Sequence, residues 1–303
     1  MHSFSRLREK HVIQATGHGS ELYIPDNLDL RAFQGNPILH SARFKTSQPA
    51  HGESKRAIVV GACNSAHDIA QNYYENGYSV TMIQRSSTFV ISSQANVNSL
   101  APLYGQDSPA TEDSDILMLG IPNPVIKRMN IDSTKLQQET VDKELLAGLD
   151  RAGFKHNSGP DGSGLWITYL ERGGGFCIDT GCSQLIIDGK IKVKQGRIDK
   201  ILVDGLKLTN GESLGAEEIV FATGYKGNMR DECRNLFGDE VADRVEDVWG
   251  FDQSGEIRIV WRKSGHPGFW FMGGNLILCR FYSKALALQI KALLEGICQY
   301  EDL

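Results

Sequence analysis

The feature that most constrains this chain is the apolar, β-branched run Arg56–Val60, which meets a glycine and then a helical pattern. Asn64–Glu75 sets Ala66, Ile69, Ala70 and Tyr73 on one helical face, and Gly77 stands where such a helix closes. Ser79–Gln84 reads as a second strand. Strand, helix and strand within about thirty residues make a parallel crossover, so the chain belongs to the α/β class. The connecting turn is Gly61-Ala62-Cys63-Asn64-Ser65-Ala66. A dinucleotide-binding turn has the pattern G-x-G-x-x-G/A. The first glycine makes the tight turn, the second lets backbone approach a pyrophosphate, and the third position packs helix on strand. Gly61 and Ala66 fit the first and third positions; Cys63 replaces the second glycine, and its small side chain narrows the approach without blocking it. The amides of Asn64, Ser65 and Ala66 then form an anion site at the helix N-terminus. A strand–helix turn that holds no ligand is the alternative reading.

Arg85 and Ser86 follow the second strand, and no acid occupies residues 84–88. An NAD site places Asp or Glu there for the ribose hydroxyls, whereas Arg accommodates a 2′-phosphate. The pattern therefore selects NADP(H), against the plainer reading of a solvated arginine. Two further strand ends carry Thr-Gly. His11–Ala15 runs into Thr16-Gly17, and Phe221-Ala222 runs into Thr223-Gly224. Alone each is a strand-end turn; bracketing the nucleotide unit, they suggest where the chain enters and leaves a domain. Phe33–Lys45 contains His40, which by itself reads as a structural loop histidine. Gly268–Phe271 leads through Gly273, Gly274 and Asn275 into a long apolar helix to about Gly296. Such a helix start can face a partial negative charge such as a reduced flavin edge. A packed core strand and helix is equally compatible with these residues.

Elsewhere the patterning is coarser. Ser20–Ser54, with Pro25, Pro37 and Pro49, reads as a connector, and Ser99–Ile116 as irregular. Asn123–Met129 and Thr134–Ala152 read as helices, and His156–Gly164 as a loop. Cys182–Ile187 is a short segment and Lys190–Lys194 a strand. Ile198–Val203, Leu206–Thr209 and Glu218–Ala222 read as a meander. With 303 residues, one large or two medium domains are expected. A net charge of -5 is too mild to point to nucleic acid or a membrane surface. No long apolar run or leader-like apolar region is present, and six scattered cysteines lack C-x-x-C spacing, so the chain reads as cytoplasmic with free thiols.

With these motifs in hand, the chain resembles flavin-containing monooxygenases, in particular a fungal group similar to plant indole-pyruvate monooxygenases. The resemblance runs from about His11 to Ile297. Gly61–Ala70 is similar to the family's NADPH glycine motif, and Ala15–Gly17 and Phe221–Tyr225 to its two hinges. Phe33–Lys45 is similar to its F-x-G-x-x-x-H-x-x-x-(Y/F)-(K/R) fingerprint, with one extra residue between Gly35 and His40. Gly268–Tyr282 is similar to its C-terminal flavin segment. The resemblance implies a Rossmann-like NADP-binding domain, residues 49–225, inserted into a partial FAD-binding domain of the two-dinucleotide type. The flanking pieces are residues 1–17 (the last strand of the flavin domain), 18–48 (a connector) and 226–303 (its C-terminal segment). It also implies that NADPH reduces FAD and that a flavin peroxide oxygenates a small organic substrate, in secondary metabolism. No FAD-type glycine motif precedes Ala15, so the flavin domain is expected to lack its phosphate-binding half, and no catalytic residue is assigned. Two alternatives follow: a homologue that binds NADP(H) only or performs non-redox chemistry, or a subunit whose dimer mate or partner chain completes the FAD domain.

Overall fold

The computed structural model describes residues 10–17, 21–50, 55–226 and 229–303. They form two compact units. One comprises Leu22–Asp107 and Lys127–Gly224; the other comprises Met1–Glu21, Ser108–Ile126 and Tyr225–Leu303. The division differs from the sequence reading in two places. Residues of the expected connector belong to the first unit, because Leu39–His40 pairs with Val220 and Phe221 as a strand. Ser108–Ile126 belongs to the second, where the buried Asp115 carboxylate receives Arg280 Nε and Nη2 at 2.7 and 2.6 Å.

The first unit is built on a five-stranded parallel sheet. Its order is Leu39–His40, Glu218–Phe221, Arg56–Val60, Ser79–Gln84, Ile191–Gln195. From Arg56–Val60 the chain steps outward through Ser79–Gln84 to Ile191–Gln195, then returns to the opposite side at Glu218–Phe221. The order therefore reverses between Arg56–Val60 and Glu218–Phe221, and open α/β sheets bind ligands outside the carboxyl ends of strands at such a point.

Both faces of this sheet are covered, which explains why its strands read as unbroken apolar runs rather than alternating ones. On one face Ala66, Ile69, Ala70 and Tyr73 of the helix Asn64–Glu75 pack with Val59, Val80, Met82 and Ile191. The Tyr73 hydroxyl, carried into this core, donates to Glu218 Oε2 at 2.6 Å, so no polar tip is stranded. On the other face Ile58, Val60, Ile83 and Phe221 meet Ile201, Leu206 and Leu208 from an antiparallel meander. That meander consists of Ile198–Leu202, Gly205–Leu208 and Ser213–Gly215. Glu218–Phe221, expected in the meander, is instead a central parallel strand. A short run buried on both faces lacks the alternation that would have separated it from its neighbours.

Three further expectations are corrected. Ser99–Ile116, expected to be irregular, lies largely in two helices, Ser93–Tyr104 and Thr111–Leu119; the first is capped by Ser92 Oγ accepting from Ala95 N at 3.1 Å. The expected break between Met129 and Thr134 does not exist, since Asn123–Glu139 is one helix, followed by Lys143–Arg151. A second parallel sheet, ordered His156–Asn157, Thr88–Ser92, Phe176–Asp179, was not anticipated. Ser20 and residues 51–54 of the expected connector, and nearly all of Met1–Lys10, lie outside the described residues.

In the second unit Val12–Gln14 pairs in parallel with Phe269–Phe271. The strand exits through Gly273 and Gly274 to the helix Leu276–Leu294, whose first turn is capped by Asn275 Oδ1 accepting from Leu278 N at 3.0 Å. Among the described residues no helix is long and apolar enough to cross a membrane, and no cluster of His, Cys, Asp or Glu could hold a metal ion.

Candidate dinucleotide site

The Gly61 turn sits at the point where the strand order reverses. Gly61 has φ +136°, and a Cβ there would lie 2.4 Å from the Ala222 carbonyl oxygen. Its own N–H donates to Ile83 O at 2.9 Å. The glycine is thus required by the closeness of three strand ends, before any ligand is considered.

Cys63 is the N-cap of the following helix, in ordinary extended geometry, φ −104° and ψ −171°. Nothing in its backbone demands glycine. Its thiol reaches the Thr88 hydroxyl and the Gly175 backbone. Burial pushes the thiol upward, while those two contacts and the positive charge of Arg85 pull it down. The Cys63 side chain is half-buried, close to Thr88 of the second sheet.

Of the three amides predicted to face an anion, one is corrected. Ala66 N–H donates to Cys63 O at 2.9 Å as part of the helix's first turn, and Ala66 is wholly buried. Among the described residues the N–H groups of Cys63, Asn64 and Ser65 have no protein acceptor. The Asn64 side chain is occupied, with Oδ1 accepting from Ile178 N at 2.8 Å, while Ser65 is exposed. Consecutive unpaired amides at the start of a 12-residue helix form an electropositive concavity.

Arg85 and Ser86 are exposed and lie between Ser79–Gln84 of the first sheet and Thr88–Ser92 of the second. Among the described residues Arg85 makes no hydrogen bond or ion pair, while its charge is felt at Cys63. A cation with no protein partner, within electrostatic reach of unpaired amides, is arranged for an external anion. Its base is rigid. The fully buried Gln84 donates through Nε2 to Lys155 O and accepts from Lys155 N, both at 2.8 Å. Sequence reasoning missed Gln84; the signal was a polar residue closing an otherwise apolar strand.

Thr223 and Gly224 end the central strand beside the turn. The Thr223 hydroxyl donates to the Tyr23 carbonyl, and Tyr23 N–H donates to Gly224 O at 2.9 Å. His40 completes this clasp. Its Nδ1 accepts from Ala42 N at 3.2 Å, which leaves Nε2–H to donate to Gly224 O at 2.8 Å. Burial holds the His40 imidazole below its usual range, outweighing the Gly224 contact that raises it, and Arg43 adds to the lowering. The histidine of the fingerprint thus serves as a neutral brace for the second Thr-Gly, in line with its structural reading.

The remaining predicted residues, Thr16, Gly17, Gly273, Gly274 and Asn275, belong to the second unit. They leave the same, carboxyl, end of the parallel pair Val12–Gln14 and Phe269–Phe271. The Thr16 hydroxyl donates to Glu232 Oε2 at 2.6 Å, and the buried Gln14 side chain donates to Met229 O at 3.2 Å. Gly273 O accepts from Trp261 Nε1 at 3.0 Å.

A family model described as pyridine nucleotide-disulphide oxidoreductase matches residues 4–141. The chain is 27% identical over 218 residues to the probable indole-3-pyruvate monooxygenase YUCCA7 of Arabidopsis thaliana, covering 72% of this chain and 44% of that protein. It is 22% identical over 273 residues to the indole-3-pyruvate monooxygenase YUCCA8 of Oryza sativa subsp. japonica, covering 90% and 55%. The chain thus spans about half the length of the curated relatives it matches. In fold it is similar to cyclohexanone monooxygenase in its open crystal structure, with a TM-score of 0.55 at 12% identity, covering 94% of this chain and 63% of that one. It is also similar to OTEMO in complex with FAD and NADP, with a TM-score of 0.52 at 16% identity, covering 95% and 61%. The chain is thus similar in sequence to indole-3-pyruvate monooxygenases and in fold to cyclohexanone monooxygenase and OTEMO.

Proposed function

We propose that this chain binds NADP(H) at the Gly61–Ala66 turn, as the nicotinamide-nucleotide part of a flavin-containing monooxygenase-like oxidoreductase acting on a small organic substrate. The observation that carries this reading is the pairing of the unpaired Cys63, Asn64 and Ser65 amides with the unpartnered Arg85. The amides suit the pyrophosphate and the guanidinium suits a 2′-phosphate. In such an enzyme NADPH supplies the hydride that reduces FAD. Here the chain's own residues bind and orient. Gly61 lets the turn close against Ala222, Gln84 fixes the base of Arg85, and His40 braces Gly224 at the strand end beside the ligand crevice. Thr16, Gly17, Gly273, Gly274 and Asn275 are the residues that would meet the flavin, and a dimer mate or partner chain would complete its site.

A second reading is that the chain binds NADP(H) without flavin chemistry, as a non-redox enzyme or partner subunit. It is favoured by one observation. Among the described residues of the second unit, the glycines between a strand and a helix are Gly273 and Gly274, and Asn275 Oδ1 already caps that helix. Dissociation constants for NADPH and NADH, measured beside the visible absorbance of the purified protein, separate the readings. Preferential NADPH binding with a flavin spectrum supports the first. The same preference in a colourless protein that takes up no added FAD supports the second. Equal affinity for NADPH and NADH overturns the phosphate assignment in both.

A further inference from the structure

A half-open cavity of about 170 Å³ lies within the second unit, lined by none of the residues assigned to the nucleotides. Ile257, Val260 and the rings of Trp261 and Tyr282 form its apolar walls. The two rings are stacked, with centroids 6.5 Å apart and planes at 24°.

Trp261 is the unusual member. It has φ +70°, in the left-handed region that a bulky side chain rarely adopts, and it is only 3% exposed. Such strain persists where the surroundings over-determine it, and it clusters at ligand sites. Three hydrogen bonds hold Trp261 there. Its N–H donates to Phe271 O at 2.9 Å, its indole N–H donates to Gly273 O at 3.0 Å, and its carbonyl accepts from Gln289 Nε2 at 3.0 Å. The result is a fixed indole in the wall of the cavity.

Both charged groups of the wall hold protein partners. Glu256 accepts from Asn123 N at 3.0 Å and from Asn123 Nδ2 at 2.7 Å. Arg262 Nη1 donates to Asp252 Oδ2 and to Ile257 O, both at 3.0 Å. A neutral ligand leaves these pairs intact, whereas a charged one would give up hydration against a mostly apolar wall. An apolar cavity of about 150 Å³ is enough to bind benzene.

We propose that this cavity is a binding site for a small, neutral, single-ring aromatic molecule, packed on the Trp261 and Tyr282 rings. The Trp261 indole N–H also ties this wall to Gly273, which opens the turn into the Leu276–Leu294 helix. The site does not rest on the nucleotide reading, so toluene binding and NADPH binding succeed or fail separately.

The test is a titration of the full-length protein with toluene, followed by ligand-observed saturation-transfer NMR and by the indole N–H resonance of Trp261. Benzoate is the charged control. The expected result is saturable toluene binding that moves the Trp261 resonance, with benzoate about tenfold weaker or more because its carboxylate loses hydration against apolar walls. Ile257→Phe, which fills the space, should weaken toluene about tenfold or more while the protein stays folded by circular dichroism. Absence of saturable toluene binding, an unmoved Trp261 resonance, or benzoate binding as tight as toluene overturns the proposal. Should Ile257→Phe fail to fold, the wild-type titration decides alone.

Discussion

Replacing Arg85 with Ala isolates the 2′-phosphate contact from everything else in the nucleotide site. Arg85 is exposed and makes no hydrogen bond or ion pair among the described residues, so its removal leaves no orphaned partner and stability should change by less than about 0.5 kcal/mol. Its contribution to binding is that of a charge-assisted contact to a phosphate, about 1.5–3 kcal/mol. Exposure and salt screening favour the lower end. At about 1.4 kcal/mol per factor of ten, NADPH should bind roughly tenfold more weakly to Arg85→Ala in moderate salt. NADH lacks the phosphate and should change by less than about twofold. Paired calorimetric titrations with the two nucleotides read both numbers, and repeating the NADPH titration at higher salt should shrink the wild-type advantage. Equal losses for NADPH and NADH would refute the reasoning, because Arg85 would then be acting on the turn itself.

Other perturbations test the frame around that contact. Gly61→Ala places a Cβ 2.4 Å from the Ala222 carbonyl oxygen at φ +136°, and should cost on the order of 3 kcal/mol in urea denaturation. Gly224→Ala has open space and φ +76°, and should cost only about 1–2 kcal/mol; equal costs would contradict the close approach at Gly61. Cys63→Gly restores the expected pattern, but Cys63 already has extended geometry and a half-buried side chain, so the variant should lose about 1 kcal/mol of stability while NADPH affinity stays within about threefold. A large gain in affinity would show that the thiol obstructs the turn. Burial holds the imidazoles of His40 and His67 below 6.5, so unfolding takes up protons below that value. The stabilisation is complete above pH 6.5 and is lost as the pH falls toward their folded values. Urea midpoints should therefore drop on mild acidification, and less steeply in His40→Gln; an unchanged slope would show that His40 does not carry the effect.

Much of the nucleotide unit was legible in the residues. Arg56–Val60, Asn64–Glu75 and Ser79–Gln84 form with the bounds that periodicity indicates, because local pattern and tertiary burial demand the same structure there. The strand Glu218–Phe221 was legible as a strand but not as a partner of Arg56–Val60. Pairing across more than 150 intervening residues is a tertiary choice that leaves no mark on four apolar residues. Thr88–Ser92 escaped notice because it begins only three residues after the preceding strand, with no glycine or proline between them. The helices within residues 93–119 carry Pro102 and little amphipathic contrast, and one of them is held by an ion pair between the buried Asp115 and the exposed Arg280 that no local window contains. At the proposed site, Gly61 and Arg85 stand out from the sequence pattern alone. That Ala66 N–H is spent within the helix, and that His40 holds Gly224, are matters of hydrogen-bond partnership that appear only with coordinates.

The central claim is that a phosphorylated dinucleotide sits on the Gly61–Ala66 turn. Titration of the isotope-labelled protein with NADP+ and with NAD+, followed at the backbone amides of Cys63, Asn64 and Ser65, tests it most directly. The account predicts saturable shifts at these amides with both nucleotides, reached at roughly tenfold lower concentration with NADP+, and no comparable shift at the Ala66 amide already bonded to Cys63 O. Shifts confined to other parts of the chain, or identical saturation curves for the two nucleotides, would contradict it.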